Sequence, residues 1–282
     1  MIVVTGATGQ LGRLVVEGLK AKLPAEQIVA AVRSPENAAD LGVTARKADY
    51  SDPATLSQAF AGADKVLLIS SNAVGQRVPQ HRAVVEAAQE AGVAHIVYTS
   101  APKADSSPLI LAPEHKATEE IIRESGLSFT FLRNGWYNEN YEPTVRQGAQ
   151  TGNFVGSAGE GKTSSASRAD FADAAVAVLT GEGHENKIYE LFGDIAWTRA
   201  ELAAMISEAA GKPVTYTDLT PEEHTAALLE AGLPEGLAHF TVALDADIKK
   251  GLIGEVNGEL QRLIGRPTTP MADYVAQIVK SI

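Results

Sequence analysis

Short apolar runs alternate with amphipathic stretches through the first half of the chain. The runs are rich in Val, Ile and Phe and are bounded by Gly, Pro, Ser or Asp, which is typical of strands. They are Ile2–Thr5, Ile28–Arg33, Val43–Lys47, Lys65–Ile69, His95–Thr99 and Ser128–Leu132. Stretches with helical spacing separate several of them, at Arg13–Lys22, Gln80–Ala91 and Pro113–Ser125. This order predicts an α/β fold with a doubly wound parallel sheet covered by helices on both faces.

The regular alternation stops after Trp136, where the chain becomes rich in Gly, Ser and Asn. One more helix and one more strand are predicted at Asp170–Leu179 and Lys187–Leu191, and the chain beyond Pro221 is mostly helical. We therefore expect residues 1–150 to form the sheet domain, with residues 164–193 returning to it. Residues 151–282 are expected to form a smaller lobe, mostly helical, that covers the cleft.

A glycine-rich heptad, Gly6–Gly12, joins the first strand to the first helix. Glycine lets the backbone turn sharply and approach a ligand closely, and the free amides at a helix start suit a pyrophosphate. The spacing is one residue away from the usual dinucleotide fingerprint of Rossmann-type folds. A tight turn that binds no ligand is the alternative, but it needs fewer glycines. The residues that we expect to contact a dinucleotide here are Gly6, Thr8, Gly9, Gln10 and Leu11.

Polar residues at the ends of later strands fit the same cofactor. Arg33 ends the second strand, where an arginine suits the 2′-phosphate of NADPH and a carboxylate would suit NAD. Asp49 is a candidate acceptor for the adenine amino group, although Asp is also an ordinary turn residue. The other cofactor contacts predicted from strand ends are Tyr50, Ser70, Ser71, Asn72 and Thr99.

Composition narrows the class of protein. The formal net charge of -11 argues against nucleic acid or an anionic membrane as a partner. Cysteine is absent, so neither a disulfide nor a Cys-ligated zinc site can form, and no metal site is predicted. No apolar run is long enough to span a bilayer, and no export signal is recognisable. We expect a cytoplasmic monomer or homodimer that binds small molecules.

The stretch Arg133–Tyr141 follows the sixth strand and combines aromatic and amide side chains. This composition suits a planar substrate beside a nicotinamide ring. We expect Asn134, Gly135 and Trp136 to contact the cofactor, and we take Tyr137 and Asn138 as candidate catalytic residues. Four other polar positions are predicted to have structural roles: Asp170 as a helix N-cap, and Arg77, His81 and Arg82 on a solvated helix face.

Reductases of this architecture use a Tyr-x-x-x-Lys pair on the helix that follows the fifth strand. In this chain His115 stands in the tyrosine place and Glu119 in the lysine place. The usual proton relay is therefore missing. His115 is a candidate proton or hydrogen-bond donor, with a packing role as the alternative.

With these motifs the chain resembles the atypical short-chain dehydrogenase/reductases of the NmrA-like group over nearly its whole length. Within that group it is similar to bacterial NADPH-dependent quinone oxidoreductases of the second type and to triphenylmethane reductases. Arg133–Tyr137 and Gly265–Thr269 carry the resemblance most specifically. The resemblance implies NADPH as the cofactor and a substrate cleft between two lobes. Relatives often carry a lysine where this chain has Asn37, which implies that binding of the 2′-phosphate rests mainly on Arg33.

The missing relay favours particular acceptors. Reduction of a ketone leaves a strongly basic alkoxide and needs a positioned acid. Reduction of a quinone leaves a phenolate with a pKa of about 10, for which water or a weak donor such as His115 or Asn138 suffices. The sequence therefore predicts an NADPH-dependent reductase that transfers hydride to a quinone-type acceptor. The alternatives are a non-catalytic NADP(H)-sensing redox regulator and a reductase of triphenylmethane or azo dyes.

Overall fold

The computed structural model describes all 282 residues and contains a seven-stranded parallel sheet with the order β3-β2-β1-β4-β5-β6-β8. A separate parallel pair joins β7 to β9. The strands are β1 (Ile2–Thr5), β2 (Ile28–Val32), β3 (Thr44–Lys47), β4 (Lys65–Leu68), β5 (His95–Ser100), β6 (Ser128–Asn134), β7 (Asn153–Gly156), β8 (Lys187–Leu191) and β9 (Thr215–Asp218). The order reverses between β1 and β4, which opens a crevice at their carboxyl ends. The predicted doubly wound α/β fold is confirmed.

Helices cover both faces of the large sheet and build most of the smaller lobe. They are α1 (Gln10–Lys20), α2 (Pro53–Phe60), α3 (Arg77–Glu90), α4 (Ala112–Glu124), α5 (Glu142–Thr151), α6 (Arg168–Thr180), α7 (Arg199–Ala210), α8 (Pro221–Glu230), α9 (Glu235–Lys249), α10 (Glu259–Ile264) and α11 (Met271–Lys280). The helices α1 and α3 each begin three residues before the predicted start, at Gln10 and Arg77.

Each face of the sheet has its own apolar core. On one face α1 packs against α6, and Gly18 permits this close crossing because a Cβ there would lie 2.8 Å from Val176 Cγ2. On the other face the side chains of α2, α3 and α4 surround Phe60, Tyr98 and Phe131. The strands β1, β2 and β5 between them are buried at every residue, so their ends are held in fixed positions.

The chain returns to the large sheet after leaving it. The strand β8 pairs with β6, with Phe131 opposite Ile188, and α6 lies against α1. The smaller lobe has a third core, in which Phe154 and Trp197 pack with side chains of α7 and α11. On this basis we propose that residues 164–193 belong to the sheet domain.

The start of α6 ties the carboxyl-terminal segment to the sheet domain. Ser167 is the N-cap, so the prediction of Asp170 as N-cap is wrong: Asp170 is the third helical residue and completes a capping box with Ser167. Its carboxylate also accepts hydrogen bonds from Arg266 Nη1 (2.6 Å) and from the amide of Thr269 (2.9 Å). The Gly265–Thr269 motif therefore connects the carboxyl-terminal segment to the start of α6.

Candidate active site

A cleft of about 1010 Å³ lies at the carboxyl ends of the central strands, where the strand order reverses. It brings together twelve of the residues predicted to contact the cofactor: Gly6, Thr8, Gly9, Gln10, Leu11, Arg33, Asp49, Tyr50, Ser70, Ser71, Asn72 and Thr99. They come from several strand ends that are far apart in sequence. The topology of the sheet therefore collects them into one elongated site.

The glycine loop presents its backbone to this cleft. Gly6 has a φ of +59°, a left-handed conformation that favours glycine. At Gly12 a Cβ would lie 2.3 Å from the Gly6 carbonyl oxygen, so no side chain fits there. Arg13 is the first residue of α1 whose amide bonds back into the loop, to Gly9. The amides of Gln10, Leu11 and Gly12 are therefore free to bind an anion.

Two arginines give the cleft a positive charge although the whole chain is acidic. Arg33 is exposed at the end of β2, as predicted from the sequence. Arg168 begins α6 on the opposite wall, with its guanidinium carbon 4.9 Å from the centre of the Tyr137 ring and Nη1 4.0 Å from Glu139. Arg168 was not predicted to line the cofactor site, because nothing in its local sequence distinguishes it from any polar residue at a helix start.

Other predicted residues shape the cleft through bonds within the protein. The Tyr50 hydroxyl donates to the Ile69 carbonyl (2.9 Å) and contacts Thr5, and burial raises its pKa. Thr99 Oγ1 accepts a hydrogen bond from the amide of Ser70 (2.9 Å). The hydroxyl of Tyr50 is thus used internally, and Thr99 fixes the loop that follows β4.

A smaller cavity of about 180 Å³ opens from the same region toward α4. Five residues line both spaces, so the two are continuous: Ser70, Asn72, Thr99, Tyr137 and Asn140. Asn134, Gly135 and Trp136 line the smaller cavity and are absent from the wall of the larger cleft. These three were predicted to contact the cofactor; they line the smaller cavity instead of the larger cleft, and the contact stays a prediction.

His115 lies in the wall of the smaller cavity and is almost fully buried. Its Nδ1 is 2.7 Å from the Tyr98 hydroxyl, while Nε2 makes no hydrogen bond within the protein. Burial, with the charge of Arg77 as a second cause, lowers the pKa of His115 to about 3. The imidazole is therefore neutral near pH 7, and it can offer an Nε2–H to the cavity when Tyr98 donates to Nδ1.

The position of the relay lysine holds a carboxylate that is already neutralised. Glu119 accepts hydrogen bonds from the Ser100 hydroxyl (2.7 Å) and, through both oxygens, from Arg133 (2.9 and 2.7 Å). Arg133 also bonds Glu190 and Asp105. This buried ion pair links α4 to β5 and β6, so the position of the relay lysine carries no ammonium group.

Asn138 does not reach either cavity, so its prediction as a catalytic residue is wrong on geometry. It is completely buried in a short 3₁₀ turn. Its Oδ1 accepts from the Ser165 hydroxyl (2.6 Å), and its Nδ2 donates to the Thr269 carbonyl (3.2 Å). The turn points this side chain into the junction between the lobes, where it serves the packing of the protein.

The prediction that Arg77, His81 and Arg82 lie on a solvated face of α3 is wrong for two of these three residues. His81 is fully buried and Arg77 is 9% exposed, whereas Arg82 is exposed as expected. His81 Nε2 accepts from the amide of Ser71 (3.0 Å), and its Nδ1 lies 2.9 Å from Thr118 Oγ1. A ring nitrogen that accepts from an amide is unprotonated, so the proton sits on Nδ1. Arg77 lines the smaller cavity.

The family model described as "NAD(P)H-binding" matches residues 6–182. Quinone oxidoreductase 2 of Escherichia coli (strain K12) is 50% identical over 99% of this chain and 98% of its own length. The NmrA-like family domain-containing oxidoreductase flvB of Aspergillus flavus is 32% identical over 98% of this chain and 94% of its own length.

Two solved structures are similar over the whole fold. A crystal structure of NADPH-dependent quinone oxidoreductase QOR2 of Escherichia coli in complex with NADPH superposes with a TM-score of 0.96, at 50% identity over 99% of both chains. A crystal structure of triphenylmethane reductase of Citrobacter sp. in complex with NADP(H) superposes with a TM-score of 0.94. The two chains are 43% identical over 99% of this chain and 100% of the other. The chain belongs to the NAD(P)H-binding, NmrA-like family of oxidoreductases.

Proposed function

We propose that this protein is an NADPH-dependent reductase that transfers hydride to a quinone-type acceptor. The observation that carries the proposal is a small cavity with aromatic walls, continuous with the cofactor cleft and lacking a Tyr-Lys proton relay. The similarity to quinone oxidoreductase 2 supports the same class of acceptor.

The residues of the larger cleft fit a dinucleotide phosphate. Gly12 leaves room for close approach, the first three amides of α1 are free, and the first turn of this helix contains no acidic residue. When bound, NADPH supplies a hydride, which is one hydrogen with two electrons. The loop Gly6–Gly12 would hold its pyrophosphate, Arg33 its 2′-phosphate, and Arg168 an anionic or ribose group on the opposite wall.

The smaller cavity fits a flat acceptor. Trp136 and Tyr137 supply aromatic surfaces, and Leu109, Leu111 and Ile253 add apolar contacts. Because Tyr137 and Asn140 line both spaces, a ring bound in the smaller cavity would lie against the reactive end of the cofactor. Holding the two reactants in contact is a large part of catalysis when no acid is required.

Replacement of Arg33 by Asp should reverse the preference for the phosphorylated cofactor. A carboxylate would repel the 2′-phosphate and could accept from a ribose hydroxyl instead. We expect the affinity for NADPH to fall about tenfold to a hundredfold while that for NADH stays within a few-fold. Fluorescence titration with both cofactors measures this, and an unchanged preference for NADPH would contradict the assignment.

Replacement of His115 by Ala should weaken quinone reduction without abolishing it. The neutral imidazole can donate a hydrogen bond to an acceptor oxygen, but water can supply the proton to a weakly basic phenolate. We expect a loss of roughly tenfold to a hundredfold in kcat, with unchanged NADPH binding. A variant that folds, binds NADPH and has no measurable turnover would mean that His115 is an essential acid.

The test of the function is consumption of NADPH with benzoquinone and menadione as acceptors. A redox sensor would bind NADPH and consume none with any acceptor in the panel. A dye reductase would consume it with triphenylmethane or azo dyes and not with quinones. We also propose that the protein is a cytoplasmic monomer or homodimer. The absence of cysteine and the acidic net charge agree with a cytoplasmic location.

A further inference from the structure

Arg77 is the only charged residue among the sixteen that line the smaller cavity, since His115 is neutral there. It lies at the start of α3, with 9% of its surface exposed. Its Nε donates to the Ser71 carbonyl at 2.6 Å, which fixes the direction of the guanidinium. Nη1 is buried and has no hydrogen-bond partner.

The guanidinium forms an ion pair with one carboxylate, but at a distance beyond that of a hydrogen bond. Glu114 is the nearest, with Oε2 3.7 Å from Nη1, and its other oxygen accepts from the amide of Gly75 (2.9 Å). His81 and His115 both lie close, and both are kept uncharged by burial and by the charge of Arg77. Arg77 therefore retains hydrogen-bonding capacity and positive charge at the wall of the cavity.

We propose that Arg77 stabilises negative charge that forms on an acceptor oxygen, and so selects acceptors whose reduction leaves an oxyanion. This inference rests on the proposed function. A neutral quinone that gains one hydride becomes a hydroquinone monoanion, and a proton from water then gives the hydroquinone. A fixed guanidinium at the wall of the cavity favours the monoanion more than the neutral quinone, so it accelerates hydride transfer.

The same charge acts in the opposite sense on a cationic dye. A triphenylmethane cation carries one positive charge before reduction and none afterwards. The guanidinium repels the cation on entry and gains no favourable contact with the neutral product. Arg77 therefore distinguishes the two acceptor classes by charge, in a cavity whose aromatic walls suit both.

The experiment compares Arg77→Gln, Arg77→Lys and, as a control, Arg82→Gln, an exposed position on the same helix. Glutamine can still donate to the Ser71 carbonyl but has no charge, whereas lysine keeps the charge. Each variant is assayed for NADPH affinity and for kcat with menadione and with the cation malachite green. We expect Arg77→Gln to lose about tenfold to a hundredfold in kcat with menadione, and to keep or increase its rate with the dye. Arg77→Lys should retain most of the menadione rate, and Arg82→Gln all of it.

Binding to the NADP⁺ complex gives a readout that does not depend on turnover. The probes are 4-nitrophenolate, at a pH where it is ionised, and the neutral 4-nitroaniline of similar shape. The wild-type complex should bind the anion more tightly, and Arg77→Gln should lose that preference while its affinity for the neutral probe is unchanged. If the wild type consumes no NADPH with quinones, the proposed function fails, but an anion preference that depends on Arg77 would still support the charge assignment.

Two results would overturn the inference. One is an equal loss for menadione and for the dye in Arg77→Gln, since that indicates a structural role through the Ser71 loop. The other is a wild-type complex that binds the neutral probe as tightly as the phenolate. The second result needs no variant, so it decides the question even if Arg77→Gln does not fold.

Discussion

Replacement of Gly12 by Ala is expected to remove NADPH binding almost completely. The added Cβ would lie 2.3 Å from the Gly6 carbonyl oxygen and 2.7 Å from Ala7 Cα. Both atoms belong to the backbone, so the start of α1 must move. That movement takes the free amides at the start of α1 away from the pyrophosphate. Loss of two charge-assisted hydrogen bonds corresponds to a loss in affinity of about a hundredfold to ten-thousandfold.

The measurement is a fluorescence titration with NADPH, accompanied by thermal unfolding of the free protein. Gly236→Ala is the matched control, because this glycine lies in α9, has no positive φ, and a Cβ added there would meet no atom within 4 Å beyond the backbone of its own helix. We expect normal binding there and unchanged or slightly higher stability. Normal NADPH affinity in a folded Gly12→Ala protein would show that the loop does not hold the pyrophosphate.

Acidification is expected to destabilise the protein strongly between pH 6.5 and pH 4. Burial lowers the pKa of both His81 and His115 to about 3, against an ordinary value of 6.5. Below pH 6.5 the unfolded chain binds protons that the folded protein does not. The stability contributed by these groups is therefore complete above pH 6.5 and is lost as the pH falls toward 3. At pH 5 each residue costs about 2 kcal/mol, so the pair costs about 4 kcal/mol.

Urea unfolding at pH 7 and pH 5 measures this effect. His115→Gln should reduce the difference between the two free energies of unfolding by about 2 kcal/mol, since this group no longer titrates. His239→Gln, at an exposed position on α9, should leave the difference unchanged. An identical pH dependence in wild type and His115→Gln would contradict the proposed origin of the acid sensitivity.

The sheet and the cofactor cleft could be predicted because their signals are local. A buried parallel strand appears as a continuous apolar run, as in Ile28–Val32, and its end is marked by the first polar residue. Since all these strands are parallel, residues at their carboxyl ends meet at one edge. Arg33 and Ser70 could therefore be assigned to one cleft without knowledge of the distance between them.

The second cavity could not be predicted in the same way, because it depends on the directions of side chains. Asn138 follows an aromatic pair in a polar stretch, yet a 3₁₀ turn directs it inward to Ser165. Arg77 and His81 resemble a solvated helix face, because polar residues one turn apart are typical of one. In the structure that side of α3 faces α4 and the loop after β4.

The ion pair between Glu119 and Arg133 has a consequence for attempts to turn this scaffold into an alcohol-forming enzyme. Grafting a tyrosine at position 115 and a lysine at position 119 would set a new ammonium group directly against the Arg133 guanidinium, with Glu190 and Asp105 left as its remaining counterions. Two like charges would then share one enclosed space. Such a redesign must exchange Arg133 as well, so conversion between the two chemistries requires at least three coordinated changes.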